Sequence, residues 1–308
     1  MMPTPSALLK VAILVLLAFV SSAISSRAED TKNLRVVFWN MEWFPGGSPT
    51  ATSTEVVAQI TKAVPIVATL GADIFCAEEI LNAKAMEISL YKTPGVTPQV
   101  CSAFLDDTGA VTMQQVAIAS KSPAIGCWWE SWKPGAITPK RGFSVAVFEP
   151  VPGSVLLVYA VHLKSNRGKL AEDVAMREES ARQLLAHVGE MEKAYGRMGK
   201  VSVVIGGDFN TSRDDAKFHD EETLEMFRKA GFKWAWEGVP FKDRVSMPSS
   251  PSHDPKFPPF PAACFDHVFT KGVRVTAARV AAIEDNPSDH RPVEVDLEYP
   301  APSAAATP

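Results

Sequence analysis

The strongest constraint on this chain is a set of short apolar runs, rich in β-branched and aromatic residues, that recur from Leu34 to Leu297. They are Leu34–Asn40, Asp73–Ala77, Gln115–Ser120, Phe143–Phe148, Val155–Leu163, Val201–Ile205, Phe265–Thr270 and Pro292–Leu297. Continuous runs of this length suit strands covered on both faces. Helical spacing of apolar residues appears in Glu55–Leu70, where Pro65 predicts a kink or break, in Leu170–Met198, and in Glu221–Ala230, stopped by Gly231. Strands and helices do not alternate strictly. That argues against a barrel of eight βα units and for packed sheets with helices outside. Between the last strands lies Val239–Ala263, a loop with seven prolines that is too long for a simple turn and is expected to be functional.

The first 28 residues read differently. Lys10 precedes the apolar run Val11–Val20, and small residues follow as far as Ala28. This is the pattern of a cleaved secretory signal peptide, and the run is too short for a membrane span. The expected organisation is therefore a signal peptide at 1–28, one domain at 29–299 and a disordered tail at 300–308. A secreted or periplasmic monomer without a stable membrane anchor is expected. Cleavage removes two basic residues and no acid, leaving 29 basic against 35 acidic side chains and a charge of −6. Such a balance excludes a protein that coats nucleic acid by bulk charge, though not an enzyme acting on it. Export would permit a disulfide among Cys76, Cys101, Cys127 and Cys264, with three pairings open.

Polar residues gather where the strand candidates begin or end. Asn40 and Glu42 follow VVFW, Glu78 and Glu79 follow DIFCA, and His162 and Lys164 close VLLVYAV. Asp208 and Asn210 follow VVIGG, Asp266 and His267 precede VFT, and Asp289 and His290 precede RPVEVDL. One carboxylate at a strand end is usually a turn group. Six such clusters imply a shared rim where a ligand binds. Oxygen donors without Cys pairs suit a hard divalent cation, Mg²⁺ or Mn²⁺. Histidines among carboxylates suit acid–base work, and Arg141 adds a forked donor for phosphate. Together they point to metal-assisted attack of water on a phosphoester.

The set resembles the endonuclease/exonuclease/phosphatase superfamily, in its DNase-like branch. The resemblance is carried, in order, by WNMEW around Asn40, DIFCAEEI around Glu79, VHLKSN around His162, GGDFNTS around Asp208, CFDHVF around Asp266 and PSDHRP around His290. It implies a four-layer α/β sandwich of two packed, mainly antiparallel β-sheets flanked by α-helices. It implies that Glu79 is the main metal ligand, aided by Asn40 and Glu42, with Asp289 near the metal. Asp208 would orient or deprotonate the attacking water, and Asn210 would hold the phosphate. His290, paired with Asp266, would be the second acid–base group, with His162 across the phosphate from it. Arg141 would contact phosphate, while Lys164, with Arg167 and Lys169, directly follows His162 and reads as a local phosphate-facing patch or a solvated loop. Two departures stand out. Glu78 replaces the usual Gln, adding negative charge beside the metal ligand, and no tyrosine lies near Gln114–Ala119.

The expected function is an exported phosphodiesterase, a nuclease acting on DNA or RNA with weak, salt-sensitive binding. The alternatives are a lipid or inositol-phosphate phosphoesterase of the same fold, or a catalytically silent binding protein. His187, His219 and His253 read as surface or loop residues and His267 as a packing residue. Trp128, Trp129 and Trp132 read as alternating strand residues rather than a base-stacking platform.

Overall fold

The computed structural model describes residues 32–250 and 259–299. The expected signal peptide, the tail, His253 and the middle of the Pro-rich loop lie outside them. Two six-stranded sheets form the centre. Sheet 1 is built from β1 (Lys32–Phe44), β2 (Ile74–Ile80), β3 (Thr97–Cys101), β4 (Gln115–Ser120), β11 (Arg274–Val280) and β12 (Val293–Tyr299), in the order β11-β12-β1-β2-β4-β3. Sheet 2 holds β5 (Gly126–Ser131), β6 (Gly142–Phe148), β7 (Ser154–His162), β8 (Lys200–Asp208), β9 (Lys233–Trp234) and β10 (Asp266–Lys271), in the order β5-β6-β7-β8-β10-β9. All pairings are antiparallel except β1 with β2 and β7 with β8. Each sheet thus has one parallel pair near its middle, and the carboxyl ends of that pair lie side by side.

Alternation along the strands builds the layers. On β1, Val36 and Phe38 point between the sheets, while Val37, Trp39 and Met41 point outward. The outward set is covered by α1 (Ser53–Thr69) and α2 (Ala83–Ser89), through Ala63, Val67, Ala85 and Met86. The far face of sheet 2 is covered by α3 (Leu170–Tyr195), through Ala181, Leu184 and Val188, and by Leu224 and Phe227 of α4 (Thr223–Lys229). The expected four layers are therefore present. Gly206 on β8 lets the sheets close up. A Cβ there would lie 2.6–2.8 Å from atoms of the Phe38 ring.

Three details correct the sequence reading, and a fourth agrees with it. α1 runs unbroken through Pro65, which is exposed, so the carbonyl left without an N–H partner faces solvent. His187 is not a surface residue. It is buried on α3, packed against Phe143 and Tyr159, with Nδ1 3.0 Å from the Tyr159 hydroxyl. All four cysteines are free thiols. Cys76 faces the space between the sheets and Cys101 the opposite side of sheet 1, while Cys127 on β5 is separated from Cys264 beside β10 by three strands. Finally, the alternating pattern of β5 buries Trp132 just beyond its end but leaves Trp129 on the edge of Phe104.

Candidate active site

The two parallel pairs aim the polar strand ends at one place. Asn40 is level with Glu78 across β1–β2, His162 with Asp208 across β7–β8, and Asp266 with Asp208 across β8–β10. A cleft of about 990 Å³ opens there, lined by Glu42, Glu79, Arg141, His162, Asp208, Asn210, Asp289 and His290.

Irregular backbone turns some of these side chains into the cleft. The registers of β1–β2 and β2–β4 shift between Asn40 and Phe44 and between Ala77 and Ile80. Such bulges re-aim side chains at a sheet rim. Glu42 and Trp43 (both φ 50°) and Glu79 (φ 55°) sit in these shifts in the left-handed region, as do Arg141 (φ 68°) and Asn210 (φ 54°) elsewhere on the wall. Of the six non-glycine residues with positive φ among the described residues, these five line the cleft. Left-handed backbone is costly away from glycine and persists where surrounding bonds hold it. Those bonds are visible: Trp43 N–H donates to Glu79 Oε2 at 3.2 Å, and Asn210 N–H to Asp208 Oδ1 at 2.8 Å.

A continuous polar network joins the sheets. Asn40 Nδ2 donates to Glu79 Oε1 at 3.3 Å and to Asp208 Oδ2 at 3.0 Å. His162 Nε2 stands 3.6 Å from both Glu79 Oε1 and Asp208 Oδ2. His290 Nδ1 lies 2.7 Å from Asp266 Oδ2, and its Nε2 3.8 Å from Asp208 Oδ2. The loop carrying His290 is stitched to β1: Trp39 Nε1 and Asn286 Nδ2 donate to the His290 carbonyl at 2.9 and 2.7 Å, and Ser288 Oγ donates to the Asn40 carbonyl at 2.7 Å.

Burial sets the protonation states. It pushes the His162 imidazole well below its usual range, assisted by the Arg141 charge, so this ring is neutral. Burial also opposes charge on His290, yet Asp266 and then Asp208 outweigh it and hold the ring well above its usual range. Asp208 is raised to about 7, chiefly by burial. Glu42 is raised to about 7 by burial and then by Asp289, whose N–H donates to its Oε2 at 2.9 Å. Glu78 points between the sheets beside Gly207, where a Cβ would lie 2.8 Å from its Oε1. It is fully buried, and neither of its oxygens has a partner among the described residues. Burial first, then Asp266 and Asp208, hold its carboxyl well above the usual range. Burial and its acidic neighbours thus disfavour the extra negative charge expected at this position.

The sequence-predicted residues largely converge, with one correction and one qualification. Lys164 turns away from the cleft. Its Nζ pairs with the buried Asp173 Oδ1 at 2.8 Å, because α3 begins beside it. Arg141 lines the cleft but already donates to the His162 carbonyl at 3.1 Å, the Leu163 carbonyl at 2.6 Å and Gln114 Oε1 at 3.0 Å. Gln114 occupies the wall where a tyrosine was missed. Asn210 Nδ2 donates to Asp208 Oδ2 at 3.0 Å and to the Leu163 carbonyl at 3.3 Å. His267 packs behind the site, with Nδ1 accepting from Trp234 Nε1 at 3.1 Å.

Sequence reasoning missed Asn166 and Arg177. Asn166 Nδ2 donates to the Asn210 carbonyl at 2.7 Å, and Arg177 Nη1 donates to Asn166 Oδ1 at 2.8 Å. The signal for Arg177 is a charged residue on the apolar stripe of α3, one turn from Asp173.

The donor set fits a hard divalent cation. Asp208, Asp266 and His290 offer atoms within 4.8 Å of one another, but a hydrogen bond already joins the last two. Glu42, Glu79 and Asp289 line the same cleft, with the Asn40 amide bonded to Glu79 and Asp208 behind them. Three carboxylates and an amide oxygen in one cleft are the hard oxygen donors that such a cation takes.

Comparison with known proteins agrees with this geometry. No curated protein matches the sequence. Among solved structures, the chain is similar to an endonuclease/exonuclease/phosphatase family protein from Bacteroides thetaiotaomicron, with TM-score 0.59, 20% identity, and coverage of 87% of this chain and 98% of that one. It is similar to a mannosyl-6-phosphatase from the same organism, with TM-score 0.58, 20% identity and coverage of 86% and 99%. The human nocturnin catalytic domain, with a bound sulfate anion, aligns with TM-score 0.62, 14% identity and coverage of 89% and 99%. Residues 37–290, a span that holds every polar strand end described above, match the Endonuclease/Exonuclease/phosphatase family, and the chain belongs to that family.

Proposed function

We propose that the protein is an exported, divalent-metal-dependent phosphodiesterase that hydrolyses nucleic acid. The observation that carries the reading is the facing of two half-sites across one cleft. Asp208 and the Asp266–His290 pair come from sheet 2 and the loop before β12, and Asn40 and Glu79 come from sheet 1. Glu79, with Asn40, Glu42 and Asp289, would hold Mg²⁺ or Mn²⁺, which supplies positive charge against the phosphate oxygens. Asp208 faces the space where a water would attack, held there by Asn40 and Asn210. His290, kept charged and oriented by Asp266, donates a proton or a hydrogen bond to the phosphate or its leaving oxygen. Neutral His162 faces the same phosphate from β7, and Arg141 fixes the His162–Leu163 backbone while adding positive charge behind it. With a charge of −6 after cleavage, binding to nucleic acid is weak and salt-sensitive.

A second reading keeps the chemistry and changes the substrate to a lipid or inositol phosphoester. It is favoured by Met247, Phe260 and Phe265, which form an apolar wall of the cleft where the Pro-rich loop folds back on itself. An activity panel on residues 29–308 separates the readings: supercoiled plasmid, single-stranded RNA, sphingomyelin and an inositol polyphosphate, each with Mg²⁺ and with chelator. The nuclease reading expects plasmid or RNA cleavage that needs metal and falls at least about 10²-fold in His290→Ala. Turnover of lipid or inositol phosphate alone would replace the substrate. A folded protein inert on all four would return the silent binding protein to first place.

A further inference from the structure

We propose that Arg177, anchored by Glu221, is a positioning residue that holds the Asp208–Asn210 turn in register through Asn166. The proposal rests on the phosphoesterase reading for its kinetic part, whereas its geometric part stands alone.

Asn210 is left-handed, and both sides of its backbone are restrained. Its N–H donates to Asp208 Oδ1, and its carbonyl accepts from Asn166 Nδ2. The Asn166 amide is itself fixed, because its Oδ1 accepts from Arg177 Nη1 at 2.8 Å. The same Nη1 donates to the Lys164 carbonyl at 3.0 Å, so one nitrogen holds two points of the 164–166 loop. Arg177 is fully buried two turns into α3. Its other nitrogens form a fork with Glu221, Nε to Oε1 at 2.8 Å and Nη2 to Oε2 at 2.6 Å. Thr223 Oγ1 also donates to Glu221 Oε1, at 2.7 Å. A buried ion pair is weak evidence of net stabilisation, since hydrophobic replacements often serve as well. What this pair supplies is direction. The planar guanidinium can hold Glu221 on one edge and the Asn166 loop on the other, which an ammonium cannot do. Arg177 is not on the cleft wall, so it acts through the 164–166 loop, where Asn166 makes the bond to Asn210.

The test removes the charge pair while sparing the fold. In Arg177→Met/Glu221→Gln no buried charge is orphaned, and Gln still accepts from Thr223. A merely structural role predicts that activity recovers with stability. The positioning role predicts a melting temperature close to wild type. It also predicts a kcat on bis(p-nitrophenyl) phosphate with Mg²⁺ that is lower by about tenfold or more, with KM nearly unchanged. Amide exchange at Asn210 and Thr211 should accelerate by about tenfold while the middle of β8 keeps its protection. Adding Asn166→Ala to the double variant should cost little further, because both changes cut one chain of bonds. A folded double variant with wild-type kcat and exchange overturns the proposal, as do losses that multiply with Asn166→Ala. Should the double variant fail to fold, Arg177→Lys gives the same readouts with the charge kept. If the wild-type enzyme turns over no phosphoester, the hydrolase reading fails, and amide exchange alone decides the clamp.

Discussion

His267 makes the stability of the fold depend on pH in a way that one substitution isolates. The ring is fully buried beside β8, and both nitrogens are committed in the neutral form. Nε2 donates to the Thr211 carbonyl at 2.9 Å, and Nδ1 accepts from Trp234 Nε1 at 3.1 Å. Protonating Nδ1 would set one N–H against another with no water to relieve it. Burial first among the causes lowers the pKa from 6.5 to about 4. The unfolded chain therefore takes up this proton between pH 6.5 and 4 while the folded chain refuses it. Stability contributed by His267 is full above pH 6.5 and is lost progressively as pH falls toward 4. At about 1.4 kcal/mol per pKa unit, the complete loss is about 3 kcal/mol, of which about 2 kcal/mol has gone by pH 5. His267→Gln retains a donor toward Thr211, gives up the titration, and costs a pH-independent amount. Urea unfolding of both proteins across this range should show the wild-type advantage shrinking by about 2 kcal/mol between pH 7.5 and pH 5. A difference between the two that stays constant across that range would refute the assignment of a neutral, doubly bonded ring.

Two further outcomes follow from positions that sequence alone does not separate from the catalytic set. Lys164→Ala should leave turnover within about twofold, since its Nζ serves Asp173 and not the cleft, while lowering stability by about 1–2 kcal/mol, read by denaturant titration. Gly206→Ala should destabilise by about 1–3 kcal/mol and depress activity through a displaced Phe38, because no room exists for a Cβ between the sheets; a crystal structure showing both residues in place would contradict it.

How far the sequence is legible depends on where each residue sits. Runs such as Val155–Leu163 are readable because β7 is covered on both faces, and apolar continuity is the only composition that tolerates this. Edge strands are not. β3 carries Pro98, and β11 (RVTAARV) on the sheet margin has two arginines and no long apolar run, so neither differs from a loop in its local pattern. Candidate site residues are readable where a polar group interrupts a buried strand end, as at Asn40 and Asp208. Lys164 misleads for the same reason that Arg177 hides. Both point at partners set by how α3 docks against the 164–166 loop, Lys164 at Asp173 and Arg177 at Asn166, and that docking is not written in the local sequence. Glu78 and Glu79 are neighbours with opposite fates, because a bulge re-aims one while the other keeps its strand direction into the dry interior.

The placing of β12 has a consequence for how the enzyme comes into being. Sheet 1 takes its first strand from one end of the described chain and its second-to-edge strand from the other. Arg35 on β1 reaches Asp296 on β12 across 261 positions of sequence. During synthesis, β1 waits with one edge open while every intervening strand and helix leaves the ribosome. Contacts so distant along the chain slow folding. His290 lies just before β12, so its hydrogen bond with Asp266 is assembled at the same late stage as the sheet. A chain interrupted before Val293 keeps most of its cleft residues and lacks the strand that seats His290. Sheet 1 and the seat of His290 are therefore completed together, by the last strand of the described residues.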